Sequence, residues 1–297
     1  MSVLRIGTRG SELALWQTRW VIAELQKMHT DLKFEEVILK THGDVNIDQL
    51  YDPPDSPIGW FTSVIEKALL DGEIDCAVHS YKDLPSSSPD ELVIAAVPPR
   101  AAAHDVIVTN SAVDLEHLPP TSRIGTSSPR RRAQLQHYLG IKGIDIRGNV
   151  PTRVAKVTSG ELDGVVLAAA GLSRLNLQVP HMIDLPMDRF VPAPRQGALA
   201  LQARRNSEAQ KLLSVLDDAP SNRAVEAERA FLAELAAGCH TPVGAIAHVE
   251  NGTIKLCGQL FSDDGKHMVE KTQRGDNPTE VGTMLAQHLA HELQVTK

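Results

Sequence analysis

The sequence predicts an α/β protein: two similarly built domains with mainly parallel sheets, then a small C-terminal α+β domain with a three-stranded antiparallel sheet. Three observations carry this. Arg5-Ile6-Gly7-Thr8 recurs as Arg123-Ile124-Gly125-Thr126, and Gly72-Glu73-Ile74-Asp75 recurs in the same order as Gly160-Glu161-Leu162-Asp163. Pro98-Pro99 and Pro192–Pro194 bracket the second half, so the chain leaves the first domain, builds the second and returns. Beyond about residue 220, apolar alternation separated by Asn251-Gly252 and Asp264-Gly265 reads as antiparallel strands joined by hairpin turns.

The elements follow in order. Val3–Ile6 is an apolar strand, and small polar residues then lead into a helix. Phe34–Thr41 is the next strand, and the polar, Pro-rich stretch 43–59 is expected to be a mobile loop. Gly72 reads as a helix C-cap, after which Cys76-Ala77-Val78 begins a buried strand. The second half repeats the plan with strands at Ile124, Ile144–Arg147 and Gly164–Leu167. Asn222–Ala237 reads as a helix with Val225, Leu232 and Leu235 inward. Strands follow at Val243–Val249, Thr253–Phe261 and His267–Gln273. Asn277-Pro278-Thr279-Glu280 opens a last helix, with a cap, Pro at its first position and Glu at its third. The expected division is 1–97 with 197–217 as the first domain, 98–196 as the second and 218–297 as the third.

Composition narrows the function. The 297 residues are 42% hydrophobic and 23% charged, an ordinary globular balance. A net charge of −7 argues against general affinity for nucleic acid, so anion binding has to come from local clusters of Arg and Lys. Cys76, Cys239 and Cys257 are too few and too scattered for a disulfide framework or a zinc site. No export signal or membrane span is legible, and the expectation is a cytoplasmic protein without metal, nucleic-acid or membrane partners.

Such clusters lie where helices should start. Unpaired amides and the helix dipole make an N-terminus anion-binding. Arg9 and Ser11 stand at the first such mouth, and Ser127-Ser128-Pro129-Arg130-Arg131-Arg132 at the second. Arginines there oppose the dipole, which a compensating anion would explain; a solvated basic face is the alternative. Arg147-Gly148-Asn149, Arg153 and Arg174 follow other predicted strand ends, where open α/β sheets hold ligands. Arginine forks suit carboxylates, so the expected ligand is multiply anionic and lies in a basic cleft between the two domains. The segment His79-Ser80-Tyr81-Lys82-Asp83 leaves a strand on the first domain. Asp83 is either a carboxylate for a cationic intermediate or N–H donor, or a turn cap. His79 reads as a packed or turn histidine, and Cys239, on residues alone, as a small loop hydrophobe.

Taken together, the segments resemble the porphobilinogen deaminase (hydroxymethylbilane synthase) family nearly end to end. The matching motifs are Arg5-Ile6-Gly7-Thr8-Arg9-x-Ser11-x-Leu13-Ala14-Leu15-x-Gln17, Lys40-Thr41-x-Gly43-Asp44, His79-Ser80-x-Lys82-Asp83-Leu84-Pro85 and Gly125-Thr126-Ser127-Ser128-x-Arg130-Arg131. They continue with Ile146-Arg147-Gly148-Asn149-Val150-x-Thr152-Arg153, Ala169-x-Gly171-Leu172-x-Arg174-Leu175, Gln196-Gly197-Ala198-Leu199 and Ala227-Glu228-Arg229-x-Phe231-Leu232, with Cys239 in place. The resemblance implies type II periplasmic-binding-protein folds for the first two domains and a monomeric transferase. It implies a dipyrromethane cofactor on Cys239 through a thioether. Four porphobilinogens would be joined head to tail, with release of ammonia, into the linear tetrapyrrole hydroxymethylbilane. It further implies Asp83 as the catalytic carboxylate. Arg9, Ser11, Ser80, Lys82, Thr126, Ser128, Arg130, Arg131, Arg147, Gly148, Arg153, Arg174 and Gln196 would hold cofactor and substrate.

The alternative is a non-catalytic anion-binding protein or a repurposed homologue of the same fold. The chain departs from the family pattern at Pro57-Ile58-Gly59-Trp60-Phe61, which lacks lysines, and at Tyr81, Arg195 and Ala237.

Overall fold

The sequence echoes are a duplicated structural clasp. In the computed structural model, which describes residues 3–39, 63–85, 87–235, 242–262, 265 and 267–296, the chain divides into two compact units. One comprises Met1–Ala101 with Ala198–Asn222, the other Ala102–Gly197 with Arg223–Lys297.

The first unit contains β1 (Val3–Arg9), α1 (Glu12–Met28), β2 (Lys33–Leu39), α2 (Ser63–Leu70), β3 (Cys76–Ser80) and β4 (Leu92–Ala96). The second opens with β5 (Asp105–Thr109), β6 (Ile124–Gly125), α3 (Pro129–Leu139), α4 (Val150–Thr158), β7 (Gly164–Ala168), α5 (Ala169–Arg174) and β8 (His181–Asp184). The chain then returns to the first unit as β9 (Leu199–Arg204) and α6 (Glu208–Leu213). It ends with α7 (Ala219–Glu234), β10 (Val243–Glu250), β11 (Thr253–Phe261), β12 (Met268–Gly275) and α8 (Pro278–Thr296).

Each copy of the clasp ties the start of the first strand to the start of the third. Arg5 donates from its main-chain N and Nε to Asp75 Oδ2, and from Nη2 to Asp75 Oδ1 at 2.9 Å and Gly72 O at 2.8 Å. Arg123 repeats the set with Asp163 and Gly160 O, Nη2 lying 2.7 Å from Asp163 Oδ1. Both strands pair in parallel just beyond the clasp, Ile6 with Cys76 and Ile124 with Gly164. A Cβ at Gly125 would come within 2.7 Å of Leu162, and one at Gly7 would overlap Ile74, so the echoed glycines let the following segment cross close above.

The sheet orders repeat as well. The first is β2-β1-β3-β9-β4; the second is β6-β7-β5-β8, with Ile144 bridging in parallel to Gly125 at its edge. In each sheet one strand is reversed, β9 in the first and β5 in the second, and the rest point one way. The mainly parallel expectation therefore holds with one exception per sheet. Strands linked by a crossover helix must run parallel; β5 and β9 enter from the Pro-containing crossings and escape that constraint. Ile144–Arg147, expected as a strand, supplies a single bridge, since the two-residue β6 offers little to pair with.

Both sheets bury their two faces. Leu4, Ile6, Val21, Leu25, Leu201 and Leu213 fill one side of the first, and Ile65, Leu69, Ile74 and Leu92 the other. Val154, Val157, Leu162 and Val165 do so for the second, with Ile107, Ile124, Leu135 and Phe190 opposite. The antiparallel sheet β10-β11-β12 packs Ala247, Leu256 and Val269 against Phe231 of α7 and Leu285 and Leu289 of α8. Its first hairpin turns at Asn251 (φ 51°) and Gly252 (φ 84°), the left-handed pair that Asn-Gly supplies cheaply. Stretch 43–59 and Asp264 lie outside the described residues.

Candidate functional site

In the first unit, two strand ends and a helix start build a pocket. Strand β1 ends at Arg9, and Ser11 caps α1 by accepting the Ala14 amide at 3.3 Å. Strand β3 ends at His79 and Ser80, and the chain turns through a short 3-10 segment, Tyr81–Asp83. Buried Tyr81 and Leu84 root that turn, and the Tyr81 amide donates to Ala198 O at 3.0 Å, leaving Lys82 and Asp83 exposed. Arg9, Ser11, Gln17, His79, Ser80 and Asp83, with Leu13, Ala14 and Val78, line a pocket that opens to solvent. Gln17, only 2% exposed, holds the Ser80 hydroxyl at 2.9 Å. Four predicted ligand or catalytic residues, Arg9, Ser11, Ser80 and Asp83, thus meet in one place.

In the second unit the predicted residues fall into two groups. Arg130 and Arg131 are buried, and both pair with Asp105 of β5, at 2.7 and 2.6 Å. Arg130 Nη1 also donates to Gln134 Oε1 and Val191 O, and Arg131 Nη1 to Val166 O. The Gln196 amide donates to Ala103 O at 2.7 Å and to Asp105 Oδ1 at 2.8 Å. Burial pushes the Asp105 carboxyl up, but Arg130 and Arg131 outweigh it and hold the group well below the carboxylate range. Asp105 thus supplies an internal anion that offsets Arg130 and Arg131 at the start of α3. Thr126 is also inside, fully buried and accepting the Ser128 amide at 3.2 Å, while Ser128 caps α3 at the Arg131 amide.

The other group is less buried. Arg147 is exposed. Gly148 turns the chain at φ 112°, where a side chain would also press on Thr152, and its carbonyl accepts Arg153 Nε at 2.7 Å. Burial, Arg131 and Arg147 together lower the Arg153 pKa, against the pull of Asp145. Burial alone draws Arg174 down to about 10; its Nη2 donates to Gly197 O at 2.7 Å, and no described carboxylate pairs with it.

Two family models match consecutive parts of the chain: "Porphobilinogen deaminase, dipyromethane cofactor binding domain" over residues 4–211 and "Porphobilinogen deaminase, C-terminal domain" over residues 222–291. The chain belongs to the porphobilinogen deaminase family. The porphobilinogen deaminase of Thermus thermophilus is 46% identical, covering 98% of this chain and 97% of that protein. That of Geobacillus kaustophilus is 44% identical, covering 97% and 94%. Among solved structures, the methionine-binding protein MetQ has a TM-score of 0.45 at 11% identity, covering 72% of this chain and 89% of that one.

The family's dipyrromethane group suits the donor set of the second unit. Each pyrrole ring carries two carboxylates, and Arg147, Arg153 and Arg174 are cations that form no salt bridge among the described residues, the last two partly buried. Cys239, the expected attachment point, and Ala237 lie outside the described residues.

Sequence reasoning missed Asp105 and gave Gln17, part of the first family motif, no site role. A carboxylate heading the apolar run Val106–Val108 is the signal that could have found Asp105, because an acid in a buried strand has to be paired. Arg195, a departure from the family pattern, is 1% exposed with φ 64°, and its amide donates to buried Glu228, which also accepts the Ala247 amide.

Proposed function

We propose that the pocket around Asp83 is where this porphobilinogen deaminase binds and activates its substrate. The enzyme is a transferase that polymerises four porphobilinogens into hydroxymethylbilane. The observation that carries the site assignment is the meeting of Arg9, Ser11, Gln17, Ser80 and Asp83 round one opening. Porphobilinogen has two carboxylates and an aminomethyl group on a pyrrole. Arg9 and Lys82 supply cations for the carboxylates, with the Ser11 and Ser80 hydroxyls as neutral donors.

Breaking the C–N bond sends its electron pair out with ammonia and leaves a methylene-pyrrole cation, whose charge reaches the ring N–H. Asp83 accepts that N–H and stabilises the developing charge. It also takes up the proton lost once the new carbon–carbon bond has formed. When bound through Cys239, the dipyrromethane would supply a tethered pyrrole terminus, so that each addition would be a reaction between held partners. Arg147, Arg153 and Arg174 hold its carboxylates; Arg130, Arg131, Gly148, Thr126, Ser128 and Gln196 shape and support that set. In this reading residues 1–97 with 197–217 carry the chemistry, 98–196 the carboxylate grip and 218–297 the attachment.

The enzyme acts as a cytoplasmic monomer, in keeping with three scattered cysteines and no helix among the described residues long and apolar enough to cross a membrane. Asp83→Asn is expected to lower turnover by about 10²-fold or more, as loss of a charge-stabilising group does, while the covalent adduct remains detectable. Turnover within about twofold of the parent would refute the role.

A further inference from the structure

His79 lines the pocket beside Ser80, yet the mechanism above leaves it idle. The residue is 6% exposed, and its Nε2 lies 3.1 Å from Gln202 Oε1 on the neighbouring strand β9. The Gln202 amide is itself oriented: its nitrogen donates to Glu66 Oε1 at 3.0 Å, on α2, and is 3.5 Å from Ser88 Oγ. With the nitrogen directed to the Glu66 carboxylate, the oxygen faces His79, and an amide oxygen only accepts. His79 Nε2 therefore carries the hydrogen and Nδ1 the lone pair. Burial first, then Arg9, draw the imidazole down to about 4 against the pull of Gln202, so the ring is neutral at physiological pH.

His79 is thus an acceptor with no charge among the residues lining the pocket, fixed in tautomer by a buried relay. The other neutral polar groups are partly spent: Gln17 and Ser80 bind each other, and Ser11 caps α1. Arg9 is a cation, and Asp83 is taken by the ring N–H. The substrate's aminomethyl nitrogen is an ammonium rich in N–H donors, and a protonated histidine would repel it.

We propose that His79 contacts the substrate directly, its Nδ1 accepting a hydrogen bond from the aminomethyl nitrogen, with Gln202 and Glu66 as positioning residues that keep Nδ1 unprotonated. This rests on the assignment of the Asp83 pocket as the substrate site. The interaction is made in the ground state and orients the leaving group, so its loss shows mainly in KM.

Two substitutions separate this from a packing role. In His79→Gln the amide nitrogen replaces Nε2–H toward Gln202 but the Nδ1 acceptor is lost. In His79→Asn the amide oxygen replaces Nδ1 and the bond to Gln202 is lost. Steady-state assays with porphobilinogen on the full-length, cofactor-loaded enzyme should give His79→Gln a kcat/KM about tenfold or more below the parent, carried by KM, and His79→Asn a value clearly above that. The reverse order, or an effect confined to kcat, overturns the proposal. Nitrogen-15 NMR of labelled protein at neutral pH should show the Nε2–H tautomer for His79; imidazolium or the Nδ1–H tautomer also overturns it. Asp83→Asn in the same assay keeps the two claims apart: normal turnover there removes the site itself, whereas an inactive Asp83→Asn with the wrong order at His79 removes only this inference.

Discussion

Asp105→Asn should be among the most destabilising isosteric changes available to the second unit. Asp105 is fully buried and takes charged hydrogen bonds from Arg130 and Arg131 and a third from the Gln196 amide. Asparagine keeps the shape and removes the charge, stranding two guanidiniums that are 3% and 8% exposed. Removing one partner of a buried ion pair costs about 3–5 kcal/mol, because the remaining charge has no solvent to return to. In a unit of this size that corresponds to a fall in Tm of about 6–20 °C. The assay is calorimetric melting of parent and variant at pH 7, with guanidinium unfolding as a second measure.

Acid adds a check of sign. The folded Asp105 pKa lies far below its unfolded value, so its contribution is complete above about pH 4 and fades as pH falls further toward the folded value. The gap between the parent and the Asp105→Asn variant should therefore narrow only below about pH 4. A difference under about 1 kcal/mol at pH 7 would refute the reasoning, since that is the scale of an exposed pair.

Two other changes probe the clasp and the ligand arginines. Gly125→Ala forces a methyl group against Leu162 and Ile146 and should cost about 1–3 kcal/mol in denaturant unfolding; an unchanged midpoint would mean the approach is looser than described. Arg174→Met removes a half-buried cation with no described carboxylate, so Tm should hold or rise while the fraction of protein carrying the dipyrrole falls. A lower Tm with full loading would assign Arg174 a structural role instead.

Local patterns reached the fold further than the site. The echoes were legible because each clasp needs the same short set: an arginine, a glycine that lets the next segment cross, a left-handed glycine and an aspartate. The Asn251-Gly252 hairpin was legible for the same reason, its chemistry being confined to two residues. Reversal of β5 and β9 was not, because strand direction there depends on where a linker enters the sheet. Asp105 lies twenty-five residues or more from both arginines it serves. The triplet at α3 therefore announced a missing anion without revealing that β5 provides it. The order Glu66–Gln202–His79 joins α2, β9 and β3, and no spacing in the sequence marks it.

The pocket residues, by contrast, stand within a few positions of strand ends, and the open-sheet rule places them. That rule says which residues gather at an edge; it does not say which of them are buried, as Thr126, Arg130, Arg131 and Gln196 are.

The central claim is that this chain works on substrate units tethered to its own Cys239. Intact-mass measurement of the purified, active protein tests it most directly. The expected mass exceeds that of the sequence by one covalently bound dipyrrole, an excess that disappears in Cys239→Ser. A bare-chain mass in fully active protein, or an adduct that survives Cys239→Ser, would contradict it.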